Sequence, residues 1–297
     1  MDSYVIETTN VSRSFSRRIA VQNLNLRVRR GSIFGLLGRN GAGKTTAIKM
    51  IVGLIWPDRG SIRVNGVAPE QFRVEDRWKI GYVSERQILN PLMRVDALIQ
   101  FTSSFYPDWD FAACDRMLKR FKIDATSRVR SLSAGTARQV AFMLALAQKP
   151  DLLVLDEPAA NLDVVTRRQF LDEMLELLRE DGKTVLLSSH LLSDVERVAD
   201  EIGIMTDGRL ALSEPLDRLK ETVRKVRFHG FENGTRSFQI PEAFQFSKTA
   251  DEALATMRVE DERNLEAIAR EHRCQYEIIT LNLEDIFVEM VRDPEES

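Results

Sequence analysis

The sequence predicts an α/β fold whose functional site lies where the strands of a parallel sheet end. Two segments indicate this arrangement. The apolar run Ile33–Leu37 leads directly into the glycine-rich segment Gly38–Thr45, and the apolar run Leu152–Leu155 ends in the carboxylates of Asp156 and Glu157. Continuously apolar strands are typical of parallel sheets covered on both faces, and open parallel sheets bind their ligands at the carboxyl ends of the strands.

The glycine-rich segment has the composition of a phosphate cradle. Polyphosphate oxygens need several N–H donors from a backbone that comes close to them. Gly38, Gly41 and Gly43 stand at positions where a side chain would block that approach or forbid the backbone dihedral angles. Lys44 is expected to reach the β- and γ-phosphates, and Thr45 to offer its hydroxyl to Mg²⁺ at the positive end of a helix. The residues expected to bind the nucleotide are Gly38, Arg39, Asn40, Gly41, Ala42, Gly43, Lys44, Thr45 and Thr46.

The two carboxylates after the second apolar run supply the expected chemistry. Asp156 is placed to hold Mg²⁺, usually through water, and Glu157 to orient or deprotonate the attacking water. An acidic pair after a strand can also cap a helix, but the cradle favours the catalytic interpretation. ATP and Mg²⁺ are therefore the expected cofactors.

A third motif resembles a known family. The segment Ser131–Thr136, followed by the helical run Ala137–Gln148, is similar to the signature of ATP-binding cassette (ABC) ATPases, usually Leu-Ser-Gly-Gly-Gln. Downstream, Ala160–Asp163 resembles the D-loop of that family, and Val185–His190 resembles the strand that carries its switch histidine. Phe15 lies where the family has an aromatic residue that stacks on adenine.

The resemblance covers about residues 4 to 215 and implies roles for single residues. Ser133 and Gly135 would bind the γ-phosphate of a nucleotide held by the opposite subunit, and Asp163 would also belong to the nucleotide site. His190 would lie near the γ-phosphate and act with Glu157 and Lys44 in catalysis.

The signature departs from its commonest form at two positions. Ala134 replaces a glycine and Thr136 a glutamine, and the added methyl group of Ala134 is expected to make dimer closure weaker or slower. Beside the D-loop aspartate, Asn161 and Val164 replace the usual glycine and proline.

The family's Q-loop corresponds to the segment Ile80–Arg86, and Glu85 stands where a glutamine normally contacts Mg²⁺ and links the site to the membrane subunit. A glutamate oxygen can still bind Mg²⁺, although it adds a negative charge. Gln87 is the alternative. Glu85 is preferred because Leu89–Val95 then aligns with the segment that leads into the helical subdomain in ATPases that serve ABC-2-type exporters.

The resemblance also implies the domain plan. Residues 1–219 would form the nucleotide-binding domain, with a RecA-like P-loop core, an antiparallel β subdomain and a helical subdomain at about 88–145, and residues 220–297 a small α+β extension. Pro107–Asp108 and Asp124 are expected as helix caps, and Asp194–Val198 as an exposed amphipathic helix. In the extension, strands are expected at Val226–Phe228, Ser237–Ile240 and Thr256–Val259, and helices at Asp261–His272 and Leu283–Val291.

Composition narrows the functional classes. The 297 residues carry a net charge of −3, which argues against a nucleic-acid-coating surface. No apolar run approaches the roughly 18 residues of a membrane span, and the chain begins with no basic, apolar leader, so a cytoplasmic location is expected. Cys114 and Cys274 match no metal-ligand spacing and are expected to be reduced thiols.

These features together predict the ATP-hydrolysing subunit of an ABC transporter, most simply an ABC-2-type exporter with separate membrane subunits, bound at the inner face of the cell membrane. Two ATPase chains, identical or different, would close head to tail over two ATP molecules. The alternative is a soluble ABC ATPase acting on ribosomes or DNA. Such proteins commonly carry two cassettes or long coiled-coil insertions, which this sequence does not show. A small-molecule kinase would have no use for the signature.

Overall fold

The computed structural model describes residues 4–291 except 17, 87, 88, 161, 233, 234, 236 and 237. The chain divides into two compact units, Met1–Ser213 and Glu214–Ser297. The second unit thus begins a few residues before residue 220, where the sequence suggested that the extension starts.

The first unit contains most of the regular structure. Its strands are β1 (Tyr4–Phe15), β2 (Arg18–Leu24), β3 (Arg27–Arg29), β4 (Ile33–Leu37), β5 (Arg59–Val64), β6 (Ile80–Val83), β7 (Leu152–Asp156), β8 (Thr184–Ser189), β9 (Glu201–Thr206) and β10 (Arg209–Pro215), which ends just inside the second unit. Its helices are α1 (Lys44–Ile51), α2 (Val74–Trp78), α3 (Val95–Ser103), α4 (Phe111–Arg120), α5 (Ala134–Ala147), α6 (Val164–Asp181) and α7 (Leu192–Val198), with short 3-10 helices at Pro69–Gln71 and Val129–Ser131.

The core of the first unit is a six-stranded sheet in the order β10-β9-β4-β8-β7-β6, in which β9, β4, β8, β7 and β6 run parallel. Every residue of β4, β7 and β8 is buried. Alternate side chains enter opposite apolar clusters: Leu152 and Val154 pack on one face of the sheet, and Leu153 and Leu155 on the other. Burial on both faces explains the continuously apolar runs, and the predicted α/β fold is confirmed.

The register of this sheet brings the sequence motifs together. Leu37, the last residue before the cradle, pairs with Ser189, and Asp156 pairs with Ser188. Because the strands are parallel, their carboxyl ends share one edge. The cradle, the acidic pair and His190 therefore meet at that edge.

An antiparallel sheet completes the β structure of this unit, with β2, β1 and β3 in order and β5 also paired to β1. Strand β5 begins at Arg59, directly after Asp58. Asp58 secures the approach to β5, since its carboxylate accepts hydrogen bonds from the Arg13 guanidinium and the Ser14 amide, both at 2.7 Å.

Helices α3, α4 and α5 form the helical subdomain and share an apolar cluster with one face of the parallel sheet. The cap of α4 differs from the expected Pro107–Asp108, because Asp110 accepts the hydrogen bond from the Ala113 amide at 2.7 Å. The Asp108 carboxylate instead pairs with Lys149 at 2.8 Å. The amphipathic helix expected at Asp194–Val198 lies within α7, with Glu196 and Arg197 exposed, but Asp194 is buried together with Val195 and Val198.

The second unit is an α+β structure. It contains α8 (Leu216–Thr222), β11 (Val223–His229), β12 (Gln245–Lys248), β13 (Glu252–Arg258), α9 (Glu262–His272), β14 (Gln275–Thr280) and α10 (Leu283–Val291). The strands form an antiparallel sheet in the order β12-β13-β11-β14. The strand expected at Ser237–Ile240 is wrong in its described part, because Phe238 and Ile240 pack into the core outside any strand.

Across the part of the chain that the structure describes, no helix has both the length and the apolar character needed to cross a bilayer.

Gly35 provides a test of the packing behind the site. A Cβ at this position would overlap the Cγ1 of Val195, because α7 lies directly against β4. Gly35→Ala is expected to lower the free energy of unfolding by about 1–3 kcal/mol, as measured by chemical denaturation, because the overlap forces strand and helix apart.

The matched control is a double-mutant cycle with Val195→Ala, which removes the overlapping methyl group. The double variant should lose less stability than the sum of the two single losses. Additive losses, or an unchanged Gly35→Ala, would contradict this packing.

Candidate functional site

At Gly43 and Gly38 the cradle backbone leaves no space for a Cβ atom. Gly43, which precedes α1, has φ of 103°, in the left-handed region, and a Cβ there would collide with the Ala20 carbonyl oxygen. A Cβ at Gly38 would lie 2.6 Å from the Met205 carbonyl oxygen. Both glycines are thus needed for the cradle to lie against its neighbouring strands.

A cavity of about 370 Å³ opens over the cradle and the start of α1. Two carboxylates belong to its lining, that of Glu157 directly after β7 and that of Glu85 in the loop after β6. Its lining consists of Arg18, Ala20, Asn40, Gly41, Ala42, Gly43, Lys44, Thr45, Thr46, Glu85 and Glu157.

Lys44 connects the cradle to the acidic pair. Its ammonium donates to the Gly38 carbonyl oxygen at 2.6 Å and lies 3.2 Å from Glu157 Oε1. Both side chains are less than a tenth exposed, at 6% and 8%. A charge pair with so little contact with water interacts more strongly than a surface pair, so Lys44 and Glu157 hold each other in place.

The two carboxylate oxygens of Asp156 differ in their hydrogen bonding. Thr45 and Ser188 both donate their hydroxyls to Oδ1, at 3.2 Å and 2.7 Å. Within the described residues, Oδ2 is buried without a hydrogen-bond partner. Burial raises the pKa of the Asp156 carboxyl above its usual value, against the opposing effect of these two hydrogen bonds. A buried carboxylate oxygen beside a threonine hydroxyl suits a hard cation such as Mg²⁺.

Glu157 is anchored through its backbone and its side chain. Its φ of 50° is unusual for a residue with a side chain, and its amide donates to Ser188 Oγ at 3.0 Å. Carboxylate oxygen Oε2 lies 2.8 Å from His190 Nδ1. An ionised Glu157 carboxylate would accept this hydrogen bond from His190 Nδ1. The Glu157 carboxylate thus lies between Lys44 and His190 at the cavity wall.

The loop after β6 brings a further negative charge to the cavity. Glu85 is exposed and lines the cavity. Burial raises the pKa of the Tyr82 hydroxyl on β6 to about 12, and the nearby charges of Asp156 and Glu85 add to this shift. Gln87, the alternative Q-loop residue, lies outside the described residues.

Phe15 is not among the residues that line the cavity. It is 45% exposed at the end of β1, and the Arg13 guanidinium lies 4.9 Å from its ring centroid. Arg18 and Ala20, at the start of β2, line the cavity instead. The adenine-stacking role of Phe15 stays a prediction, and no sequence signal pointed to Arg18 or Ala20.

The signature and D-loop residues lie together but do not line the cavity. Ser133 caps α5, accepting from the Thr136 amide at 3.1 Å, and its hydroxyl is 2.8 Å from that of Thr136. A Cβ at Gly135 would lie 3.3 Å from Leu162, beside the D-loop. Asp163 caps α6, and hydrogen bonds from Thr166 lower the pKa of its carboxyl. Ser133 and Asp163 are exposed.

Two buried charged residues were missed from the sequence. The Arg138 guanidinium on α5 donates to the backbone carbonyls of Glu157 and Glu85, at 3.0 Å and 3.2 Å. The Asp194 carboxylate accepts from Ser189 Oγ at 3.3 Å, beside His190, and burial raises its pKa. A single sequence gives no signal that a charged residue on a helix is buried, so neither contact was predictable.

Comparisons with known proteins agree with these motifs. The family described as ABC transporter matches residues 21–160. The ABC transporter ATP-binding protein YtrB of Bacillus subtilis (strain 168) is 32% identical over 223 residues, which cover 75% of this chain and 76% of YtrB.

The Nod factor export ATP-binding protein I of Cupriavidus pinatubonensis is 29% identical over 295 residues, which cover 96% of this chain and 90% of that protein. Among solved structures, the dimeric structure of a bacterial ABC transporter cassette has a TM-score of 0.64 at 25% identity. The match covers 71% of this chain and 98% of the cassette.

Proposed function

We propose, from the premise that this chain belongs to the ABC transporter family of ATPases, that it powers an ABC-2-type exporter whose membrane subunits are separate chains. Similarity to an export ATP-binding protein over 96% of the chain supports the exporter assignment. That similarity extends beyond the cassette into the second unit. It favours a transporter subunit over a soluble ABC ATPase that acts on ribosomes or DNA.

The observation that carries the catalytic proposal is the Glu157 carboxylate between Lys44 and His190. Lys44 would bind the β- and γ-phosphates when ATP occupies the cradle, which leaves Glu157 and His190 facing the γ-phosphate. A water oxygen would then attack the γ-phosphorus, the bond to the β–γ bridging oxygen would break, and the water proton would pass to Glu157.

Thr45 and Asp156 would hold Mg²⁺, with Glu85, which also lines the cavity, as a further oxygen ligand. The unpartnered Asp156 Oδ2 and the Thr45 hydroxyl beside Oδ1 support this assignment. The cation would neutralise charge on the β- and γ-phosphates during transfer.

A second ATPase chain, identical or homologous, would complete each site. Ser133, Gly135 and Asp163 do not line their own chain's cavity, and Ser133 and Asp163 are exposed, as a head-to-tail dimer requires. Ser133 and the amino end of α5 would then face the γ-phosphate bound to the partner. The dimeric state of a similar cassette supports this arrangement. The dimer would work at the cytoplasmic face of the membrane, where its membrane subunits meet the loop of Glu85.

Glu157→Gln tests the general base. The amide keeps the size of the side chain but cannot take up a proton, so turnover should fall by about 10²–10⁴-fold while ATP affinity is retained. Steady-state ATPase assays, nucleotide-binding titrations and size-exclusion chromatography with ATP and Mg²⁺ provide the measurements, and the slow variant should accumulate as a dimer. A monomer that hydrolyses ATP at the wild-type rate would refute the assignment.

Glu85→Ala tests the proposed metal contact. Loss of an oxygen ligand should raise the Mg²⁺ concentration needed for half-maximal turnover by about tenfold or more, whereas Glu85→Gln keeps an oxygen and should retain activity. ATPase rates across a Mg²⁺ titration provide the comparison, with the exposed Glu70→Ala as the matched control. An unchanged Mg²⁺ requirement in Glu85→Ala would move the Q-loop contact to Gln87.

A further inference from the structure

Arg138 is a buried cation whose hydrogen bonds go to the backbone. It lies on α5, and the residue is 8% exposed. Buried arginines are normally paired with carboxylates. Within the described residues, the Arg138 guanidinium instead donates to three carbonyl oxygens: those of Glu157 at 3.0 Å, Pro158 at 3.4 Å and Glu85 at 3.2 Å.

These three carbonyls belong to the two loops that flank the active site. Nη1 contacts the residues after β7, and Nη2 contacts the loop after β6. Strands β6 and β7 are neighbours in the sheet, and Val83 pairs with Leu155 close to their carboxyl ends. The planar, rigid guanidinium can bridge the two loops, and a single ammonium cannot reproduce this geometry.

The contact with the Glu157 carbonyl bears on catalysis because of the backbone conformation there. A residue with a side chain holds a left-handed φ of 50° only where its surroundings impose it. Ser188 accepts from the Glu157 amide, and Arg138 donates to the Glu157 carbonyl. The two contacts fix both peptide groups of Glu157 and therefore the direction in which its carboxylate leaves the strand.

We propose that Arg138 is a positioning residue for ATP hydrolysis, which holds the Glu157 backbone in its productive conformation and ties it to the loop of Glu85. The proposal rests on the proposed role of Glu157 as the base. Arg138 does not line the cavity over the cradle, so its effect on hydrolysis would be exerted through the Glu157 backbone that it holds.

The position of Arg138 on α5 adds a consequence for the dimer. The same helix begins at the signature, where Ser133 would meet the nucleotide of the partner. One rigid helix thus links the signature offered to one site with the base of the other. Movement of α5 on closure would reach Glu157 through the guanidinium.

The test compares Arg138→Met and Arg138→Lys in the full chain. Displacing a catalytic group by about 1 Å can cost about 10²-fold in rate, so Arg138→Met should lower kcat by about that factor. The ATP dissociation constant and KM should stay within a few-fold of wild type, since the cradle is untouched. Arg138→Lys keeps the charge but loses the planar guanidinium. Its kcat should lie between those of wild type and Arg138→Met.

Arg128→Met is the matched control. The Arg128 guanidinium also donates a hydrogen bond to a backbone carbonyl, that of Leu92, at 2.7 Å. Arg128 is exposed, however, and does not line the cavity. Its kcat should equal that of wild type. Thermal melting of each variant reports folding, and should Arg138→Met not fold, Arg138→Lys decides the outcome.

The decisive arm repeats the Arg138 substitutions in the Glu157→Gln background. A residue that acts through the base has nothing left to position, so residual turnover should equal that of Glu157→Gln alone. An equally large further loss would show a general structural role and overturn the proposal, as would wild-type kcat in both Arg138 variants. Wild-type turnover in Glu157→Gln itself would instead refute the proposed function.

Discussion

The placement of the Glu157 carboxylate between Lys44 and His190 is the interaction on which the rest of the site depends. Its two partners follow different strands, β4 and β8, and the register that pairs Leu37 with Ser189 brings them to one edge. A buried carboxylate is tolerated only with compensating partners. The apolar clusters on both faces of the sheet, the glycines of the cradle and the bonds made by Ser188 all keep those partners within reach.

The sequence predicted the elements whose patterns are local. The cradle, the acidic pair and the buried strands each have a composition that follows from one physical requirement, and their parallel order follows from chain topology.

The sequence did not predict contacts between distant segments. Arg138 is a buried charged residue whose backbone partners, Glu157 and Glu85, lie 19 and 53 residues away in the chain. The strands β12 and β14 gain their structure from pairing with β13 and β11. The misplaced strand at Phe238–Ile240 has the same cause, because its apolar residues fill a core formed elsewhere.

The first unit contains half of each proposed catalytic site. The cradle and Glu157 line one surface, whereas Ser133 and Asp163 are exposed on another, where they cap α5 and α6. Ser133 and Asp163 do not line the cavity of their own chain, so they would not contact the nucleotide bound there. Helix α5 connects the two surfaces, since it begins at the signature and carries Arg138 to the Glu157 carbonyl. In the proposed dimer, this connection would let closure over one nucleotide align Glu157 at the other site.

The central claim is that each site is built from two chains, and mixing two inactive variants tests it most directly. Lys44→Ala damages the cradle, and Ser133→Arg blocks the signature, so each variant alone should hydrolyse little ATP. In a mixed dimer, one site combines an intact cradle with an intact signature. We expect the mixture to recover turnover, and to recover none when the Ser133→Arg chain also carries Glu157→Gln. A mixture whose rate equals the sum of the separate rates, at every ratio and concentration, would contradict the composite site.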